Sequence, residues 1–311
     1  MKKLNIVYFG TPEFSVPALD MLKNHSSVNI SYVVSMPDRP AGRGQNLKSP
    51  EVIEYAKANK IPYIQTENIN KDVEALKKIN SEQVDVFIVL AFAQFLSQSV
   101  LDIPSLGCFN IHTSLLPKYR GAAPIQYAIL NGDTMTGVSI QKMVKKMDAG
   151  NLVFSHAVDI HPEETGGQLY TKLKFQAALS LNDFVNNIIE DNITYAPQDE
   201  ANVSFAPTLK KEDGFLEFKT QKYSDIKNRI RALYPWPGTY CYLGKKRLKV
   251  FNIQASQVKL APGMVQSSSK ELFIGCLDKT IRVTSLQLEG KKRGSDTDLL
   301  NGLKDEVTIN P

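Results

Sequence analysis

Asn110 and His112 close an apolar run, "GCFNIH" (107–112), at a spacing of two. Side chains two apart in a strand leave the same face, so an amide and an imidazole stand side by side where this strand ends. An amide N–H can hold a developing oxyanion; an imidazole can share that task or move a proton. Asp148, in "KKMDAGN" (145–151), adds a carboxylate on a segment that its Ala-Gly neighbours leave free to turn back toward the sheet. Near His112 it would favour the protonated ring and fix its tautomer. Each residue also has a plainer use: Asn110 capping a turn, His112 as a satisfied core histidine, Asp148 in an Asx-turn. No Ser in a G-x-S-x-G setting and no activated Cys accompanies them, which argues against a covalent intermediate. Amide, imidazole and carboxylate without a nucleophile suit direct transfer of a carbonyl group to an incoming amine.

The elements around these residues predict the scaffold. "LNIVYF" (4–9), "ISYVVS" (30–35), "IPYIQ" (61–65), "VDVFIVLAF" (84–92) and "GCFNIH" read as buried strands. Helical patterns alternate with them over 13–24, near 51–59 and near 70–80. Continuous apolar strands alternating with helices predict a parallel sheet covered on both faces, with ligands at its carboxyl edge. "TGVSIQKM" (136–143) and "NLVFSHAVDI" (151–160) extend the strand pattern, and 166–190 reads as one long helix. Pro197 and Pro207 bracket a polar stretch of linker texture. Beyond Lys210, "GFLEF", "GTYCYLG", "KRLKVFNIQA", "KELFIGC" and "TIRVTSLQL" surround one helix near 223–233 and predict a small barrel of the OB type. The fold class is therefore α/β: a Rossmann-like, mostly parallel sheet followed by a small OB-like β-barrel domain. The predicted divisions are 1–190, a linker over 191–209, and 210–311.

Two loops at the expected carboxyl edge carry further signals. In "FGTPEFS" Gly10 opens a helix after a strand, yet Pro12 and Ser15 stand where a dinucleotide fingerprint has its other glycines. That argues against a nicotinamide dinucleotide. "MPDRPAGRGQNLKSP" (36–50) reads as a long loop whose Arg39, Arg43 and Lys48 could grip phosphates.

Bulk properties narrow the class. The 311 residues favour about two domains, and 42% hydrophobic content supplies a sizeable core. No apolar run approaches the roughly 20 residues of a membrane span, and the N-terminus reads as a first strand rather than a signal peptide. Cys108, Cys241 and Cys276 show no paired spacing, and the four histidines form no metal-ligand pattern; no metal is expected, and a cytoplasmic location fits. The net charge of +5 is unevenly placed: residues 207–311 hold 19 Lys and Arg against 11 Asp and Glu, leaving the rest at −3. Such asymmetry fits either a polyanion partner for the C-terminal part or a solvated basic face.

At these residues the chain resembles the methionyl-tRNA formyltransferases. The pieces are "YFGTPEFS", "PDRPAGRG", "NIHTSLLPKYRGAAPIQYAILNGD", "KMDAGN", "RALYPWPGTY" and "LQLEGKKR", in the family's order and across nearly the whole chain. The resemblance implies transfer of a formyl group from 10-formyltetrahydrofolate, a co-substrate rather than a tightly bound cofactor, to methionyl-initiator tRNA. It implies Asn110, His112 and Asp148 as the catalytic trio and Ser114, Leu115, Leu116 and Pro117 as the folate-binding segment. It implies Arg39, Gly42, Arg43, Gly44 and Lys48 as a loop against the acceptor stem, and a C-terminal barrel along the tRNA. The enzyme so described is monomeric and free of membranes. Two positions depart from the pattern: Phe92-Ala93 stands where Tyr-Gly is usual, and Gly294 where Met is common. The alternatives are formyl transfer to an amino sugar on the same fold, or a non-catalytic tRNA-binding protein; within the same enzyme class, transfer to glycinamide ribonucleotide and hydrolytic release of formate fit the basic loop and barrel less well.

Overall fold

The structure, a computed structural model, describes residues 3–41, 45–268, 270–301 and 309–310. In chain order the first strands are β1 (Leu4–Gly10), β2 (Val28–Ser35), β3 (Arg39–Ala41), β4 (Asn46–Lys48), β5 (Tyr63–Gln65), β6 (Val86–Leu90), β7 (Gly107–His112), β8 (Arg120–Gly121), β9 (Met135–Lys142) and β10 (Leu152–Asp159). The helices among them are α1 (Val16–Asn24), α2 (Glu51–Ala58), α3 (Val73–Asn80), α4 (Gln98–Leu101), α5 (Pro124–Leu130) and, after β10, α6 (Gly166–Ile189). The chain divides into two compact units, and neither is continuous in sequence. The first comprises residues 1–121, 136–158 and 171–205; the second comprises 122–135, 159–170 and 206–311.

A seven-stranded sheet in the order β10-β9-β7-β6-β1-β2-β5 organises the first unit. Strands β5, β2, β1, β6 and β7 run parallel, and β9 pairs antiparallel with β7. Alternation decides what β7 presents to each side. Cys108 joins a cluster with Phe9, Phe87 and Ile79, while Phe109 meets the Phe184 ring of α6 at 4.8 Å. Asn110 and His112 continue the Cys108 face past the end of that apolar cluster, so the strand delivers them to the sheet's carboxyl edge. The expected helix over 13–24 is a 3-10 turn (Glu13–Ser15) running into α1, locked where Ser15 Oγ donates to the Leu90 carbonyl at 2.7 Å. The loop expected over 36–50 contains a two-stranded ribbon instead. β3 and β4 pair antiparallel, Arg39 opposite Lys48.

β11 (Phe205–Ala206) has its first residue in the first unit and its second in the second unit, where α7 (Tyr223–Ala232), β12 (Thr239–Leu243), β13 (Lys246–Ser256), β14 (Val265–Ser268), β15 (Glu271–Gly275), β16 (Thr280–Leu288), α8 (Asp296–Asn301) and β17 (Ile309–Asn310) follow. A curled antiparallel sheet in the order β14-β15-β16-β13-β12-β17 forms the OB-like part, with register shifts around Asn252 bending β13 against β16. Its core is Leu216, Phe218, Ile226, Leu248, Val250, Ile274, Ile281 and Val283. "GFLEF" is not a strand here. Leu216 and Phe218 are both fully buried, which produces the alternation, but the segment makes one isolated bridge, Phe215 to Tyr240, and no ladder. No helix among the described residues is long and apolar enough to cross a membrane.

Candidate active site

Asn110, His112 and Asp148 come together in the first unit. Asp148 Oδ1 accepts from Asn110 Nδ2 at 3.5 Å, and its Oδ2 lies 3.8 Å from His112 Nδ1. The histidine and aspartate side chains are 7% and 12% exposed, so the charge is only slightly screened. The tautomer of His112 is set by a contact the sequence did not suggest. Nε2 stands 2.8 Å from the Tyr119 carbonyl, which can only accept, so Nε2 carries the proton. In the neutral ring Nδ1 is then the basic nitrogen, and it faces Asp148. A proton taken up at Nδ1 would sit between the ring and the carboxylate. Asn110 keeps a second amide N–H with no partner among the described residues.

Asp148 holds a left-handed backbone (φ 49°), which a non-glycine residue adopts only when its surroundings enforce it. Its carboxylate accepts from the Gly121 N–H at 2.9 Å and from Gln141 Nε2 at 3.0 Å. These are contacts across the sheet's edge, not a local Asx-turn. Gln141 lies opposite Asn110 in the β7–β9 register and also accepts from the Gly150 N–H at 3.0 Å. A Cβ at Gly150 would fall 1.7 Å from the Lys142 carbonyl oxygen, so only glycine fits beside the aspartate. Gln141, Gln198, Arg120 and the Tyr119 carbonyl escaped sequence reasoning. A buried polar Gln141 inside the apolar strand "TGVSIQKM" was the one signal that could have found part of this set.

Ser114 to Pro117 follow β7 directly. Ser114 is fully buried, and its hydroxyl donates to the Lys118 carbonyl at 2.6 Å. Ser139 Oγ accepts from Leu116 N–H at 3.1 Å and donates to the Ser114 carbonyl at 2.8 Å. Ser114 therefore shapes this segment through its own turn, leaving Leu115 and Pro117 half-buried as its outer face. Arg39 and Lys48 lie side by side on the β3–β4 ribbon, exposed, and paired with Glu67 (2.5 Å) and Glu51 (2.6 Å). Gly42, Arg43 and Gly44 lie outside the described residues. Phe92 packs its ring against Phe9 at 5.3 Å, and Gly294 forms a bridge with Leu286. Burial pushes the Cys108, Cys241 and Cys276 thiols up to about 12, so none is a ready nucleophile. Among the described residues no three His, Cys, Asp or Glu side chains gather as a metal site.

A parallel sheet with an amide, an imidazole and a carboxylate at its edge, followed by a curled antiparallel sheet, defines a class of group-transfer enzyme. The chain belongs to the formyl transferase family: the "Formyl transferase" model matches residues 2–184, and the "Formyl transferase, C-terminal domain" model matches 208–304. Solved structures share the fold. The sugar 3N-formyl transferase WlaRD, solved in the presence of dTDP and 5-N-formyl-THF, covers 94% of this chain and all of its own at TM-score 0.67 and 21% identity. The N-formyltransferase of Helicobacter canadensis, in complex with folinic acid and dTDP-3-aminofucose, covers 91% and 99% at TM-score 0.65 and 21% identity.

Sequence likeness narrows the class to the methionyl-tRNA formyltransferases, the family to which this chain belongs. It is 38% identical over 310 residues to the methionyl-tRNA formyltransferase of Geobacter metallireducens, covering 99% of each chain. It is 38% identical over 305 residues to that of Staphylococcus epidermidis, covering 97% of each.

Proposed function

We propose that the chain transfers the formyl group of 10-formyltetrahydrofolate to the α-amino group of methionine carried on initiator tRNA. The supporting observation is the convergence of Asn110 and His112 on Asp148, inside a chain matched along its length by enzymes of that name. The amine nitrogen attacks the formyl carbon, and the carbonyl electron pair moves to oxygen. The spare Asn110 N–H meets that oxyanion. Neutral His112 takes the ammonium proton at Nδ1, next to the Asp148 carboxylate, and the resulting imidazolium helps hold the oxyanion's charge. Collapse breaks the bond from carbon to N10 of the folate, and the proton passes from His112 to N10. Atoms and charge balance, and the ring returns to its starting tautomer.

In this reading Ser114–Pro117 form one wall for the folate, with Leu115 and Pro117 outermost. The β3–β4 ribbon carries Arg39 and Lys48 toward the acceptor stem, and Gly42, Arg43 and Gly44, which follow β3 in sequence, are assigned to the same contact. Exchanging Glu67 and Glu51 for phosphates costs little, because exposed ion pairs are worth about 0–1 kcal/mol. The basic residues of 207–311 follow the tRNA backbone, so 1–190 supplies the chemistry and the acceptor-stem ribbon while 210–311 adds the rest of the tRNA contact. A monomeric cytoplasmic enzyme without tightly bound cofactor completes the reading. The test is incubation with 10-formyltetrahydrofolate and charged initiator tRNA, followed by deacylation: N-formylmethionine is the expected product. Formylation of a dTDP-linked amino sugar instead would transfer the assignment to that substrate class.

A further inference from the structure

We infer that Gln198, gripped by Arg120, is a positioning residue for Asp148, so that the segment following α6 forms part of the catalytic apparatus. The inference deepens the proposed function and rests on its reading of Asp148. Gln198 Nε2 donates to the carbonyls of Asp148 and Gly150, both at 2.8 Å, and approaches Gln141 Oε1 at 3.3 Å. It thus holds both ends of the left-handed turn that presents the carboxylate, together with the side chain that donates to that carboxylate. Gln198 Oε1 in turn accepts from Arg120 Nε at 3.1 Å and Nη2 at 2.7 Å. That two-pronged contact settles which end of the amide faces which partner.

Arg120 is 2% exposed, and its fork is completed by Glu200 at 2.7 Å, whose second oxygen accepts from Lys146 at 3.0 Å. Arg120 and Lys146 hold the Glu200 carboxyl down at about 2, so this end stays ionised. The neighbour of Arg120, Gly121, supplies the N–H that meets Asp148 Oδ2. A continuous chain of polar contacts therefore runs from Glu200 through Arg120 and Gln198 to both backbone flanks of Asp148. Gln198 meets Asp148 at its backbone carbonyl rather than at its carboxylate. Its effect on the reaction runs through the aspartate.

Gln198→Glu separates this role from simple packing. The variant keeps the volume and the Arg120 contact but sets a carboxylate oxygen against two carbonyls. Formylation kinetics should show kcat lowered about 10- to 100-fold with KM for folate and for tRNA within about twofold, because only the transition-state interaction is lost. In an Asp148→Asn background the same substitution should cost less than about threefold, since residues acting as one unit are non-additive. Where Gln198→Glu fails to fold by circular dichroism, Gln198→Met, which deletes the donors without adding charge, is read the same way. A folded Gln198 variant with unchanged kcat, or one whose loss multiplies fully with that of Asp148→Asn, overturns the inference. Asp148→Asn with full activity would instead overturn the reading of the aspartate on which it rests.

Discussion

Asp148→Asn removes one charge with almost no change in volume, and the structure gives the size of its effect. The carboxylate lies 3.8 Å from His112 Nδ1, the nitrogen that takes up the proton in the proposed reaction. At an effective dielectric of about 20, a unit charge pair at that distance is worth about 4 kcal/mol. The small solvent access of the carboxylate trims this to about 3–4 kcal/mol, or roughly 10²–10³ in rate at about 1.4 kcal/mol per decade. Hydrogen bonding adds to the loss. Oδ2 faces the Gly121 N–H, and Oδ1 faces donors from Gln141 and Asn110. Whichever way an asparagine turns, its NH₂ meets a donor. Gln141 cannot flip to accommodate it, because its oxygen is engaged by the Gly150 N–H. Single-turnover formylation of charged initiator tRNA should therefore slow about 10²–10³-fold while affinity for folate and tRNA holds. A variant within about fivefold of the parent rate would refute the argument that a carboxylate-stabilised imidazolium carries the proton.

Asn110→Ala should lower kcat about 10²–10³-fold by removing an oxyanion donor, with folate affinity measured by fluorescence little changed. Arg43→Ala should raise KM for tRNA and leave folate binding intact, and Arg43→Lys should recover only part, since a point charge cannot replace a planar fork; steady-state kinetics with each substrate varied separates the two. Asp296→Ala should destabilise the second unit by about 3 kcal/mol in denaturant titration, at the low end for a broken buried pair because Arg282 keeps Glu271. Asp296 is 1% exposed and accepts from Arg282 Nε at 2.8 Å and the Leu272 N–H at 3.1 Å.

The juxtaposition of Asn110, His112 and Asp148 was legible because it rests on local rules. Period two puts Asn110 and His112 on one face, and Ala-Gly after Asp148 allows a tight turn. The parallel sheet was legible for the same reason, through continuous apolar strands. What the sequence hid is long-range or masked by a matching pattern. Gln198 reaches Asp148 across 50 residues, from a polar stretch whose composition is that of a linker. The tautomer of His112 depends on a backbone carbonyl, at Tyr119, which no side-chain pattern encodes. "GFLEF" has the alternation of a strand because Leu216 and Phe218 are both buried, but Gly214 packs so close to the Gly238 carbonyl that a Cβ there would lie 2.0 Å from its oxygen. Burial periodicity reports which side chains point inward, and the ladder depends on what the backbone meets. The ribbon of β3 and β4 was hidden by its Pro and Gly content, which reads as irregular loop.

In the proposed reaction Asn110, His112 and Asp148 move a formyl group directly from folate to an amine, with no formyl-enzyme intermediate. Rapid-quench analysis with formyl-labelled 10-formyltetrahydrofolate tests it most directly, with and without charged initiator tRNA. Label is expected on the methionine amino group only when the charged tRNA is present, and on protein in neither case. Label retained covalently by the protein before tRNA is added would contradict it.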